Sequence, residues 1–300
     1  MRRLLLIMML CFSWPVGLRA QTDLSPEQEA LLTETTQALR MAQGWQQYRF
    51  SDQFETDYAQ VTNQSGAALW EVSQLRRERN VSLNRAAEAA QGTILLETLM
   101  DGADEPTQQT SETAHFIYVD DQLILGDQAL REIALEDAAP GLGVADVLDF
   151  SATEPTLLTL DLLATAQAVF DLGVQVRENE QTLQGYEFAF DPAAALTELA
   201  FDVDNLVAEL DITIDHTRLV TAIQDALAVQ GTLWVDQATN QPIEMTLVID
   251  FQVELALSED EASGDTLSLV YAQTWQARYF NIDDDLQIEL PAEDESEASP

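Results

Sequence analysis

The 300-residue chain contains no lysine, one cysteine and two histidines. Each shortage removes a class of chemistry. The single Cys11 cannot form an internal disulfide, and it lies inside an N-terminal apolar run read below as a leader. His115 and His216 are isolated from one another and from any cysteine, so neither a His/Cys zinc site nor a Cys–His couple can be assembled. The sequence has no G-x-S-x-G elbow, no H-E-x-x-H and no phosphate-cradling G-x-x-x-x-G-K. No cofactor motif is present, no metal site is expected, and the reading is of a protein without catalysis. Positive charge is equally scarce: 13 Arg stand against 53 Asp and Glu, a formal net charge of −40. A field of that sign repels nucleic acid and anionic headgroups, which excludes duplex binding and a polybasic membrane role.

The first twenty residues have the layout of a cleavable signal peptide. Arg2 and Arg3 are followed by an apolar run from Leu4 to Phe12, then Pro15 and Gly17, with small Ala20 at the expected cut. The run is shorter than the roughly 20 apolar residues needed to span a bilayer. Leucines directly after the Arg pair favour general secretion over twin-arginine export. Cys11 sits too deep in the apolar run for a lipid anchor. Cleavage leaves ten Arg against 53 acids, a formal −43, and no cysteine. Such acidity serves solubility in a cell envelope first, with adaptation to a salty milieu as the sharper alternative. The expected product is periplasmic or secreted, with no membrane span.

Within the mature chain, Ser25-Pro26-Glu27-Gln28 is a helix start, with Leu31, Thr35, Ala38 and Ala42 on one stripe up to about Gln43. From Trp45 the period becomes two: Tyr48 and Phe50 alternate with polar residues, and Ala68, Trp70 and Val72 resume the pattern after the turn Asn63-Gln64-Ser65-Gly66. Residues 101–113 are polar and turn-rich, which predicts an exposed loop. His115 to Leu125 predicts a short hairpin around Asp120-Asp121. Leu157 to Val169 predicts an apolar helix, preceded by a loop at Pro140-Gly141. Tyr186, Phe188 and Phe190 alternate as a strand, and a helix is predicted around Leu219, Val220, Ile223 and Leu227. Every odd position from Ile243 to Leu255 is apolar, the strongest strand signal in the chain. A further strand carries Leu267, Leu269, Tyr271, Trp275, Ala277 and Tyr279 on one face. The acidic tail 293–300 has nothing to bury and is expected to be disordered.

Long antiparallel strands with one apolar face must cover that face. The predicted fold class is therefore α+β: a strongly curved antiparallel sheet, a half-barrel, with helices covering or plugging its concave face. The expected organisation is one domain over 21–292 between the leader and the tail.

The segment Gly231-Thr232-Leu233-Trp234-Val235-Asp236, then Asn240-Gln241-Pro242 and Ile243-Glu244-Met245, resembles the G-x-L-W-[IV]-D hairpin of the lipoprotein-carrier superfamily. That group comprises the LolA and LolB carriers, RseB and the LppX-like lipid-binding proteins. The N-terminal helix running into Trp45–Phe50 is similar too, as is the ending Tyr279-Phe280-Asn281-Ile282-Asp283 with Ile288-Glu289-Leu290-Pro291. Residues 100–180 have no counterpart. The resemblance implies a half-barrel around an apolar cavity that accepts acyl chains. The chain departs from it in its length and its acidity, and it does not read as a lipoprotein.

The candidate cavity-lining residues are Trp70, Tyr186, Phe188, Leu247, Ile249, Phe251, Tyr271 and Trp275. An ordinary core would use the same residue types, because an apolar sheet face is buried whatever the function. Asp283-Asp284-Asp285 lacks the spaced ligands and the turn glycine of a calcium loop and reads as a solvated turn. Asn63-Gln64-Ser65 and Asn80-Val81-Ser82 fit the N-glycosylation acceptor pattern. Two functions follow as expectations. One is a soluble binding protein for an apolar small molecule or lipid. The other is an envelope interaction or sensor protein that docks a protein partner.

Overall fold

The computed structural model describes residues 24–64, 67–102, 107–119, 122–126, 131–132, 156–177, 179–199, 201, 203, 216–256 and 265–288. The leader, the Pro140-Gly141 loop and the acidic tail lie outside them.

Helix α1 spans Pro26–Ala42 and begins as the sequence dictates. The Ser25 hydroxyl accepts from the Gln28 backbone N–H, and the Gln28 side chain accepts in return from the Ser25 N–H. This reciprocal pairing satisfies two of the donors that every helix start leaves open. Thr35, Ala38, Leu39 and Ala42 form its buried stripe.

Eleven strands make one antiparallel sheet: β1 Gln47–Gln64, β2 Ala67–Asn84, β3 Ala89–Gly102, β4 Gln108–Val119, β5 Gln122–Gly126, β6 Arg131–Glu132, β7 Ala166–Val176, β8 Thr182–Phe190, β9 Ala228–Asp236, β10 Pro242–Ala256 and β11 Thr266–Phe280. Their order is β6-β5-β4-β3-β2-β1-β11-β10-β9-β8-β7, so the sheet is open. Two sequential meanders are joined where the first strand meets the last, with Arg49 opposite Phe280 and Asn63 opposite Thr266. At about 3.3 Å per residue, β1 and β2 are roughly 60 Å long.

Three short helices complete the described chain: α2 Leu160–Leu163, α3 Pro192–Glu198 and α4 His216–Ala226. Helix α1 packs on β7, β9 and β10, α3 on β9, and α4 on β10, while α2 bridges α1 and α3. Met245, Leu247, Ile249, Phe251 and Val253 of β10 are all buried, as the period of two predicted. The face they occupy is called the core face below. Leu219, Val220 and Ile223 of α4 are buried in the same cluster.

Two expectations are corrected. The predicted helix 157–169 is helical only at Leu160–Leu163, and the chain then becomes strand β7. Thr159 caps the short helix, its hydroxyl accepting from Leu162 N–H at 3.1 Å. The N–H of Asp191 then donates to Thr165 O, and Ala166 pairs with Phe190. A short apolar run carries no period that separates helix from strand, and here pairing with β8 decided. The predicted loop 101–113 is likewise mostly sheet. Strand β3 continues to Gly102 and β4 begins at Gln108, with Met100 opposite Gln108 and Leu95 opposite Thr113. Residues 108–113 are exposed, so their polarity reflects a strand wetted by solvent rather than a loop.

The hairpin between β9 and β10 shows why its sequence reads as it does. The Asp236 carboxylate accepts the backbone N–H groups of Ala238 at 2.8 Å and Thr239 at 3.0 Å. Asn240 supplies the left-handed turn residue at φ 57°. Burial pushes the Asp236 carboxyl up, but these hydrogen bonds and one from Gln181 outweigh it and hold it below its usual value. Gly231 makes room for a ring, since a Cβ there would lie 2.9 Å from Phe190.

Candidate functional site

The strand registers decide which predicted residues share a surface. Phe251 faces Tyr271, Leu247 faces Trp275, and Tyr186 and Phe188 face Leu233 and Gly231 across β8–β9. Tyr186, Phe188, Leu247, Ile249, Phe251, Tyr271 and Trp275 therefore all lie on the core face. Trp70 does not. It pairs with Val61, whose side of β1 is opposite to that of Phe54 and Tyr58, and it is 36% exposed on the outer face. The sequence alternation identified two faces in β2 but not which one turns inward.

The seven that share the face differ in surroundings. Phe188, Leu247 and Ile249 are 0% exposed and packed in the helix-covered core. Phe251 stacks on Tyr271 with ring centroids 5.2 Å apart. Burial pushes the Tyr271 phenol up to about 12, and its hydroxyl bonds the buried Gln273 side chain. The Tyr186 hydroxyl donates to Glu34 of α1 at 3.1 Å, and burial together with that carboxylate raises its pKa. Trp275 is only half-buried, and its ring lies 5.3 Å from Phe54.

From Trp275 the core face continues across β1, β2 and β3, where the register brings together residues the sequence reading had not chosen. Phe54 lies opposite Trp275 on one side and Arg77 on the other, and Arg77 lies opposite Leu96. Tyr58 and Leu75 are half-buried, while Leu69 and Met100 are 50% and 51% exposed. None of α1–α4 packs on β1–β6 to the extent that they cover β7–β10, among the described residues.

Two arginines stand within this apolar field. Arg79 Nε donates to both carboxylate oxygens of Asp52, at 2.9 and 3.1 Å, and its guanidinium lies 5.9 Å from the Phe50 ring centre. The Arg77 guanidinium lies 5.4 Å over the Phe54 ring. The triplet Arg76, Arg77, Arg79 reads in sequence as a hydrophilic run. The signal that could have found the site is the odd-position series Leu75, Arg77, Arg79, Val81, Leu83, which threads two cations through an apolar strand face. Arg76, on the outer face, pairs with Glu78 and Glu97.

A depression of about 430 Å³ lies across β1–β4, lined mostly by outer-face positions that include Arg49, Asn80, Thr93, His115 and Phe280. It contains none of the predicted lining residues. His115 and His216 are both exposed, and no cluster of metal-ligating side chains occurs among the described residues. Asp283 acts structurally, its carboxylate accepting from Gln46 N–H at 3.0 Å. No described helix is long and apolar enough to cross a membrane.

No family model matches the chain, and no curated protein matches it. Solved structures with some likeness include a DUF1329 family protein from Desulfovibrio piger, at 9% identity over 87% of this chain and 95% of that one. A putative outer membrane lipoprotein-sorting protein domain from Vibrio parahaemolyticus matches at 10% identity over 88% and 94%. A β-barrel-like DUF1849 protein from Brucella abortus matches at 8% identity over 79% and 100%. The TM-score is 0.21 for each, which establishes neither a common fold nor a common function.

Proposed function

We propose that this is an extracytoplasmic binding protein, without catalysis, that holds a lipid or other apolar ligand in the hollow of a half-barrel. In this reading residues 21–292 form one domain, the helices plug the β7–β10 part of the concave face, and β1–β3 form the open wall. The observation that supports it is that Trp275, Phe54, Tyr58, Leu75, Leu96, Leu69 and Met100, interspersed with Thr56, Gln60, Glu71 and Ser73, carry apolar side chains along the core face past the helices, with the outer members half exposed. Apolar residues in such numbers on the wall of a hollow are what a ligand pocket uses for affinity. Mass spectrometry of solvent extracts from the purified protein, together with uptake of a fluorescent fatty acid, tests the reading. Bound lipid or saturable uptake supports it, and absence of both defeats it.

A second reading, docking of a protein partner, has its own support at the sheet edge. Strand β7 ends the sheet, and its Leu172, Val174 and Val176 are 43%, 57% and 67% exposed. An apolar edge strand is a template for added strands. The bulge at Asp171/Gly173, with Gly173 at φ 79°, twists that edge and limits such pairing. Pull-down from envelope extracts by the parent chain but not by Val174→Lys would favour this reading.

A further inference from the structure

We propose that the depression on the outer face of the sheet is a binding site for an acidic saccharide, with Arg49 taking the carboxylate and Phe280 the ring face. The site lies on the side opposite the apolar core face, so it stands or falls independently of the apolar-ligand reading.

The strand registers build it. One row crosses five strands: Phe280 of β11 lies opposite Arg49 of β1, Arg49 opposite Ser82, Ser82 opposite Gln91, and Gln91 opposite Ile117 of β4. Two residues along, Asn80 lies opposite Thr93 and Thr93 opposite His115. All of these line the same hollow of about 430 Å³. Its middle is a block of neutral side chains, Ser82, Gln91, Asn80 and Thr93. Arg49 and Phe280 stand on one side of that block, His115 and Ile117 on the other. Strand spacing of about 4.8 Å puts β1 and β4 roughly 14 Å apart. A hollow of that width and volume suits a short saccharide rather than a folded partner.

The charge around the hollow is unlike that of the rest of the chain. Acids make up 53 of the 300 residues, yet none lines it. Glu78, two residues from Asn80 on β2, is engaged by Arg76. Glu244, which continues the Asn80 row beyond Ser51 and Arg278, is engaged by Arg177 and Arg278. Arg49 is exposed, and no carboxylate pairs with it among the described residues. At physiological salt, exposed charges farther than about 8 Å are largely screened. A ligand in the hollow therefore meets the local cation rather than the net charge of −40.

The remaining side chains select the ligand class. The Asn80 and Gln91 amides and the Ser82 and Thr93 hydroxyls each offer both a donor and an acceptor, as a sugar hydroxyl does. A bare phosphate uses donors only and would leave the amide oxygens unmatched. Phe280, 42% exposed, supplies an aromatic surface for the C–H face of a sugar ring. The planar fork of Arg49 matches a carboxylate through two parallel hydrogen bonds. Asn80 and Ser82 are also the two ends of a glycosylation acceptor pattern, and a glycan attached at Asn80 would fill the hollow.

The test is calorimetric titration of the full mature chain, made in a host that does not N-glycosylate, at physiological salt. The probes are a galacturonate trimer, a hyaluronan tetrasaccharide and the methyl esters of both. At least one acid is expected to bind saturably, and its ester about tenfold or more weaker, the range of a charge-assisted hydrogen bond. Arg49→Gln is expected to bring acid and ester to within about twofold of each other. Thr93→Asp, which sets a carboxylate into the hollow, should weaken the acid selectively and serves if Arg49→Gln does not fold. Phe280→Ala should weaken acid and ester alike, by about threefold to tenfold. Arg278→Gln, on the same face but outside the lining, should change neither by more than about twofold. Absence of saturable binding by both acids overturns the site. So does equal binding of acid and ester by the parent, or a preference for the acid that survives in folded Arg49→Gln or Thr93→Asp.

Discussion

The two meanders of this sheet use the same backbone pairing but bury it differently. In β7–β11 helices pack on β7, β9 and β10, and Leu183, Leu233, Met245, Leu247, Ile249, Leu267 and Leu269 are all 0% exposed. In β1, by contrast, every residue from 51 to 62 is half-buried, and the two faces differ little. Strands β1 and β2 are the longest of the sheet, at 18 residues each, so hydrogen-bonded pairing is not what they lack. The described helices pack on β7, β9 and β10, while in the other half burial is concentrated at one end, where Val81, Leu83, Ala90, Ile94 and Phe116 are at most 4% exposed. Strand length therefore reports backbone pairing, while side-chain burial reports what lies across from the face.

Matched truncations give the largest expected contrast. Leu247→Ala should cost about 3–5 kcal/mol, as for a packed core leucine that leaves a cavity. Leu96→Ala, also on the core face, should cost only about 1 kcal/mol, near the typical single substitution. Denaturant melts of the two variants measure the contrast, and equal losses would erase the distinction between the halves. Next comes a substitution that the simple contrast would call harmless. A Cβ on Gly92 of β3 would lie 2.4 Å from the Asn80 carbonyl, so Gly92→Ala should destabilise by about 1–3 kcal/mol through overpacking. A neutral melt there would mean that β2 and β3 are looser than their register indicates.

Smaller effects test the outer face. Burial raises the Asp250 carboxyl, which lies between Ala272 and Ala228 on the neighbouring strands. A carboxyl whose folded-state pKa is above its unfolded value binds protons better when folded, so its contribution to stability falls as pH rises through that window. Asp250→Asn should therefore raise Tm at neutral pH, and the gain should shrink in acid below the unfolded carboxylate range. A Tm difference that is constant with pH would assign the effect to packing. Glu254→Ala, exposed on the same face, should change stability by no more than about 0.5 kcal/mol.

Several features were legible because local chemistry alone sets them. The capping box at Ser25 and Gln28, the Asp236–Asn240 turn and the odd-position burial of β10 depend on residues within a few positions of each other. Seven of the eight proposed lining residues lie on one face because alternation survives in any register. Trp70 escaped because alternation does not say which face is inside. The strand β7 was hidden in an apolar run, and the strand residues 108–113 were hidden by their polarity. In both cases the partner strand, distant in sequence, supplied the deciding hydrogen bonds.

By itself, the sequence determined the helix and turn signatures and the alternating faces of the long strands. Tertiary structure alone decided that β1 pairs with β11, which joins the two meanders into a single sheet. It alone set Arg77 and Arg79 on the inner side among Phe50, Phe54 and Leu96. The reason is physical. Propensity and capping act over a few residues, whereas the inward side of a strand is fixed by contacts more than 200 positions apart.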